Sequence, residues 1–178
     1  MRLSTNKIAL CGVLTSLAAI FSYVEAIIPF NFGVPGIKLG LANVVIVFAL
    51  YSLGSSYAVI ISIARIIIVS SLFSSPAVAM YSLAGALISL LCMAMLKKTG
   101  KFSIVGVSMA GGVFHNLGQL AVAAAVVETL ELLYYLPVLI TAGMGTGILI
   151  GAIVVRAMPA IRPLLRFQSS SGRDGDPR

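Results

Sequence analysis

Gly111-Gly112-Val113-Phe114-His115-Asn116-Leu117-Gly118-Gln119 sets the single histidine of the sequence and two amides in the middle of an apolar run from residue 103 to residue 127. Such a run is long enough to cross a bilayer as a helix, which takes about 20 residues. At helical spacing His115 and Gln119 are one turn apart and Asn116 adjoins His115, so the three point to roughly one side. Polar groups in hydrocarbon need partners, because no water is present to take their hydrogen bonds. Two roles satisfy that need: the wall of a binding cavity, or hydrogen bonds that fix one helix against another. Gly111, Gly112 and Gly118 weaken the helix on their own account and suit close approach by a neighbouring helix or a ligand.

The rest of the chain has the same character. Of its 178 residues 60% are hydrophobic and 10% charged, with mean hydropathy +1.10, a composition that belongs to an integral membrane protein. After short loops there is room for about six spans and no separate soluble domain. The expected fold is therefore an all-α polytopic bundle of six transmembrane helices over residues 1–163, with residues 164–178 as a solvated tail. Arg2 and Lys7 precede an apolar run that continues to Ile28 without a clear cleavage site, which reads as an uncleaved first span. Cys11 and Cys92 lie singly in apolar segments and read as buried free thiols.

The expected spans cover residues 7–28, 38–53, 57–72, 77–96, 103–127 and 138–158, with Pro159 and Pro163 closing the last. Gly143, Gly147 and Gly151, at intervals of four, mark a close-packed face on the sixth. Glu131, Tyr134 and Tyr135 fall in a short interfacial segment before it. In the first span Gly12, Ser16 and Ala19 belong to small-residue stripes that permit close helix contact, either inside this protein or with a second membrane protein.

Charged residues are few enough to be read singly. Lys38 sits in the first turn of the second span, with Asn43 one turn and more beyond it, where it could attract an anion or reach up to the headgroups. Arg65 lies near the middle of the third span, where a charge costs about 2.5 to 3.5 kcal/mol on insertion scales. It calls for Glu25, Glu128 or an anionic ligand as partner. Tyr81 and Ser82 lie near the start of the fourth span, and Tyr81 joins the candidate lining. Ten of the twelve basic residues fall at the two termini and in the loop at Lys97, Lys98 and Lys101, so both termini are expected in the cytoplasm of a multi-pass plasma-membrane protein. Glu25, Glu128 and Glu131 fall towards the other face, which collects the polar residues into an outward-open cluster.

Several chemistries find no support. The net charge of +7 marks the ends of apolar runs and is not interleaved with aromatics, which argues against nucleic-acid binding. A phosphate loop of the Walker type is missing, and no nucleophile has an evident base beyond His115. Asp174 and Asp176 lie in the tail, so carboxylates are not clustered in the membrane as diphosphate chemistry with magnesium needs. Neither metal nor cofactor is called for, and binding without turnover is the expectation.

With the segment from Pro35 to Asn43 and the His115-Asn116-Leu117-Gly118-Gln119 motif in hand, the chain resembles the small bacterial membrane family known as Gx transporters, often labelled heptaprenyl diphosphate synthase component I. That family is similar in size and span pattern to the substrate-binding S components of energy-coupling-factor vitamin transporters. The resemblance covers about residues 7–159. It implies an S-component-like bundle that captures a vitamin-like or anionic molecule from outside and depends on a transmembrane coupling protein and cytoplasmic ATPases. It also implies that Gly12, Ser16 and Ala19 face that coupling protein. The binding set expected on this reading is Lys38, Asn43, Arg65, Tyr81, His115, Asn116, Gln119 and Glu128. The synthase label implies instead a non-catalytic membrane subunit of heptaprenyl diphosphate synthesis.

Overall fold

The computed structural model describes residues 5–27, 40–73 and 76–170. They form six α-helices, α1 (Thr5–Ile27), α2 (Leu41–Ser52), α3 (Ser55–Phe73), α4 (Pro76–Thr99), α5 (Ile104–Val127) and α6 (Leu136–Ser170), with a 3-10 segment (Leu130–Tyr135) before the last. Five of the described helices are long and apolar enough to cross a membrane, so the chain is a multi-pass all-α bundle. Residues 28–39, with Lys38 and the Pro-rich loop, lie outside the described residues.

The departure from six equal spans is α2. It has 12 residues, about 18 Å at 1.5 Å per residue, against a hydrocarbon core of about 30 Å. Ala42 and every residue from Val45 to Leu50 are buried. A helix that is apolar all round belongs in the centre, and α2 forms the middle of the hydrophobic core. Around it pack Leu14 and Ala18 of α1, Ala58 and Ile61 of α3, Leu90 and Met93 of α4, Val107 of α5, and Ile150, Val154 and Met158 of α6.

Helix direction follows from a few contacts. Lys7 lies 6.0 Å from the Tyr57 ring centre, so α1 and α3 start at the same end. Lys97 Nζ, late in α4, donates to the Leu50 carbonyl at 2.5 Å and sits 5.0 Å from the Tyr51 ring centre, bringing the end of α4 to the end of α2 at that level. The core fills this end of the bundle. Outward faces such as Val13, Ile20, Ile67, Leu91 and Met95 carry exposed apolar side chains, as lipid contact requires.

Helices α5 and α6 meet along the glycine face that the sequence marks. A Cβ at Gly147 would lie 2.5 Å from Met109 Cα, one at Gly151 2.7 Å from Val105 Cα, and one at Gly143 2.8 Å from the Gly112 carbonyl carbon. Gly118 meets α4 in the same way, 2.9 Å from Gly85 Cα. Apolar surface alone gives helices little reason to associate in lipid, so these backbone approaches supply dispersion contacts that larger residues would prevent.

The last helix runs further than expected. Instead of stopping at Pro159 it continues through Pro163 to Ser170. A proline removes one N–H and crowds the carbonyl four residues earlier. Here Pro159 is exposed and follows Met158, the last residue of the core, and Val155, whose carbonyl it crowds, is exposed as well. The segment expected as tail thus begins in the helix, and residues 171–178 lie outside the described ones.

Gly147→Leu should destabilise the detergent-solubilised protein by about 1 to 3 kcal/mol or prevent folding, as overpacking does. Gly145→Ala, on the same helix with nothing within 4 Å of an added Cβ, should leave the unfolding midpoint unchanged. Thermal unfolding followed by size-exclusion chromatography separates the two, and equal midpoints would remove the seam from the account.

Candidate functional site

The short α2 leaves space beyond its first turn, and the longer helices around it enclose that space. Gly40, before α2, has φ 73° and ψ 31°, a left-handed conformation that glycine adopts without penalty. Its N–H donates to Glu25 Oε1 of α1 at 2.6 Å. A carboxylate at the start of a helix meets both the free N–H groups and the positive end of the dipole. The sequence provides for this by ending α1 in an acid and opening α2 with a glycine.

An empty volume of about 1080 Å³, its open mouth included, lies over this helix start, and all six helices line it. From α1 come Ser22 and Glu25, from α2 and its cap Gly40 and Asn43, and from α3 Arg65 and Ser70. Helix α4 adds Ser82 and Ser89, α5 adds Ser108, His115, Asn116 and Gln119, and α6 adds Thr146. Val47, Ile66, Met93 and Ile150 supply apolar floor and walls.

Arg65 is the cation of this lining and Glu25 the anion, and the two charges act on one another. Arg65 Nη1 donates to Ser22 Oγ at 3.2 Å, a long bond. Its Nε is buried with no hydrogen-bond partner among the described residues, as is Ser108 Oγ deeper in the wall. Both atoms keep hydrogen-bonding capacity towards the cavity; the Tyr51 hydroxyl, outside this lining, is likewise buried and unpaired among the described residues.

The helix carrying the histidine is held by both neighbours. Asn116 Nδ2 donates to the Leu139 carbonyl of α6 at 2.8 Å, and Ser89 Oγ of α4 donates to the Gly111 carbonyl at 2.8 Å. A Cβ at Gly85 would lie 2.7 Å from Gln119 Cγ and 3.2 Å from His115 Nδ1, so that glycine lets both side chains lie against α4. Asn116 therefore serves packing while facing the cavity. The two roles open in the sequence are not exclusive.

Five of the eight residues singled out in the sequence, Asn43, Arg65, His115, Asn116 and Gln119, come together on this cavity. Tyr81 and Glu128 are not in its lining. Tyr81 precedes Ser82, about 100° around the helix, and it is Ser82 that faces inward. Glu128 takes the left-handed cap position after α5, φ 54°, where its side chain is exposed, and the acid near Arg65 is Glu25. Lys38 lies outside the described residues. Sequence reasoning passed over the hydroxyls. Ser22 with Glu25, Ser82 with Ser89, and Ser108 with His115 recur at three or seven residues, a helical period that a search for charge alone does not register.

Residues 14–157, which hold the whole described cavity lining and at least part of each of the six helices, match the family described as heptaprenyl diphosphate synthase component I. The chain belongs to that family. No curated protein and no solved structure matches it. Within the component I chain, the matched segment ends inside α6 and leaves out the first turns of α1.

Ser89→Ala should cost about 0.6 kcal/mol, the mean for interhelical hydrogen bonds in membranes, because it frees the Gly111 carbonyl. Asn116→Leu should cost more, since it also sets an apolar chain against the Leu139 carbonyl. Unfolding midpoints in one detergent rank the pair, and a reversed order would show that Asn116 does not join α5 to α6.

Proposed function

We propose that this chain is the substrate-capture subunit of a membrane importer, an S-component-like protein that takes a small molecule from outside the cell. The observation that carries this reading is the polar cavity over α2, in which residues from six helices converge on a half-buried arginine. Arg65 meets the negative charge of the substrate, and Asn43, His115, Asn116 and Gln119 fix its orientation by hydrogen bonds. Glu25 joins this set as the acid nearest Arg65.

The basic residues support an orientation with both termini in the cytoplasm of the plasma membrane and the cavity opening outward. The chain has no ATP-binding loop, so on this reading energy comes from a separate transmembrane coupling protein and its cytoplasmic ATPases. Gly12 and Ser16 are exposed on α1, nothing lies within 4 Å of a Cβ added to Gly12, and Ser16 Oγ is turned back to the Gly12 carbonyl at 3.0 Å. With the half-buried Ala19 they form a smooth helix face suited to that partner.

A second reading has the family description in its favour: a non-catalytic membrane subunit of heptaprenyl diphosphate synthesis. It requires copurification with a soluble prenyltransferase and a fall in synthase activity when the chain is deleted. Native mass spectrometry of gently purified protein decides for capture when it finds a retained small molecule that Arg65→Ala and His115→Ala lose. Lipid alone in the wild type, with both variants supporting normal cell function, would overturn capture. For orientation, Tyr134→Cys in a background lacking Cys11 and Cys92 should react with a membrane-impermeant maleimide in intact cells, and Lys101→Cys only after lysis. The opposite pattern reverses the topology.

A further inference from the structure

The described lining holds one positive and one negative side chain, Arg65 and Glu25, and is otherwise hydroxyl, amide, imidazole and aliphatic. Its fixed charge therefore sums to zero. A ligand with a net charge would leave one charge uncompensated in a partly desolvated site, which is unfavourable, whereas a ligand bearing one charge of each sign leaves none.

Both charged groups have capacity in hand. Glu25 uses Oε1 on the Gly40 N–H, and a carboxylate has about four lone-pair sites. Arg65 uses Nη1 on Ser22, its Nε is unmet, and a guanidinium has five N–H donors in a planar fork. Ser108, 2% exposed, adds an unmet hydroxyl deeper in the same wall.

Apart from the His115 imidazole no aromatic ring is in the described lining. Flat ring systems gain much of their affinity by stacking, and quaternary ammonium groups are held by aromatic cages. Neither has a partner in the described lining. A cation with N–H groups of its own does, since it can donate to Glu25 and to serine hydroxyls.

Resting on the capture reading above, we infer that the cavity takes a small, non-aromatic zwitterion of the amino-acid type, its carboxylate on Arg65 and its protonated amine on Glu25. The hydroxyls of Ser22, Ser82 and Ser108 take the remaining polar groups. Glu25 is thus both the cap of α2 and the determinant that rejects simple anions.

The test is thermal unfolding of the full-length protein in detergent against alanine, serine, glutamine and β-alanine, with glycine betaine, inorganic pyrophosphate and riboflavin as contrasts. At least one amino acid should raise the midpoint in a saturable way while the contrasts do not. Glu25→Gln should weaken that amino acid by at least about tenfold and make propionate stabilising, because the site then carries a net positive charge. A variant that merely lost structure would gain no new ligand, and where Glu25→Gln does not fold the wild-type panel decides alone. Stabilisation by pyrophosphate or riboflavin without any amino acid overturns the zwitterion assignment and leaves capture standing. An absence of shifts throughout overturns it too, and the retained-ligand mass spectrum then decides whether capture survives.

Discussion

A short helix inside a membrane bundle must have both of its ends satisfied by the protein, and that constraint organises this structure. At its C-terminal end α2 gives its Leu50 carbonyl to Lys97, a cation at the negative end of the dipole. At its other end Glu25 accepts from Gly40, an anion at the positive end. Orphaned backbone groups in hydrocarbon cost several kcal/mol each, so these two side chains, sent from α4 and α1, are conditions for α2 to lie where it does. Once it does, the space above its first turn cannot be filled by α2 itself.

The bundle therefore divides by depth. Around the body of α2 the helices bring Leu, Ile, Val and Phe together in a dry core. Above it they turn serines, amides, a histidine and two charges towards one hollow. Helix α5 connects the levels, with glycines against α4 and α6 and polar residues against the cavity. The packing density of the seams matters to the site because backbones in van der Waals contact cannot drift apart, and the lining residues inherit that rigidity. His115 and Gln119 are positioned by the absence of a side chain at Gly85.

Most of this architecture was legible in the sequence, since hydropathy and helix breakers are local properties. The start and end of α5 at Ser103 and Glu128 follow from a serine whose hydroxyl accepts the Gly106 N–H and from a residue able to turn left-handed. The glycine face of α6 was legible as a period of four. The apolar span does end near Pro159, at Ala160, but the helix that carries it runs on through both prolines, a continuation that the breakers in the sequence did not announce. In the site, Arg65 and the histidine motif stood out because charge and amides are rare in apolar runs. Its serines did not, because a hydroxyl can return its proton to a carbonyl of its own helix and so sit anywhere in a span, as Ser16 and Ser52 do. The depth of α2 was illegible for another reason: it depends on Glu25 and Lys97 from helices distant in sequence.

The two charges over α2 are unequal as evidence. Glu25 has a structural reason to be there, since it caps a helix that would otherwise end unsatisfied. Arg65 has none of comparable weight. Its contact with Ser22 is long, its Nε is unmet, and a guanidinium is not needed to hold α1 against α3, which already pack through Leu14, Ala18, Ala58 and Ile61. A charge at that depth is costly to insert, and the one hydrogen bond it makes here is long. On the capture reading proposed above, Arg65 is the centre of recognition and the cap of α2 lies beside it.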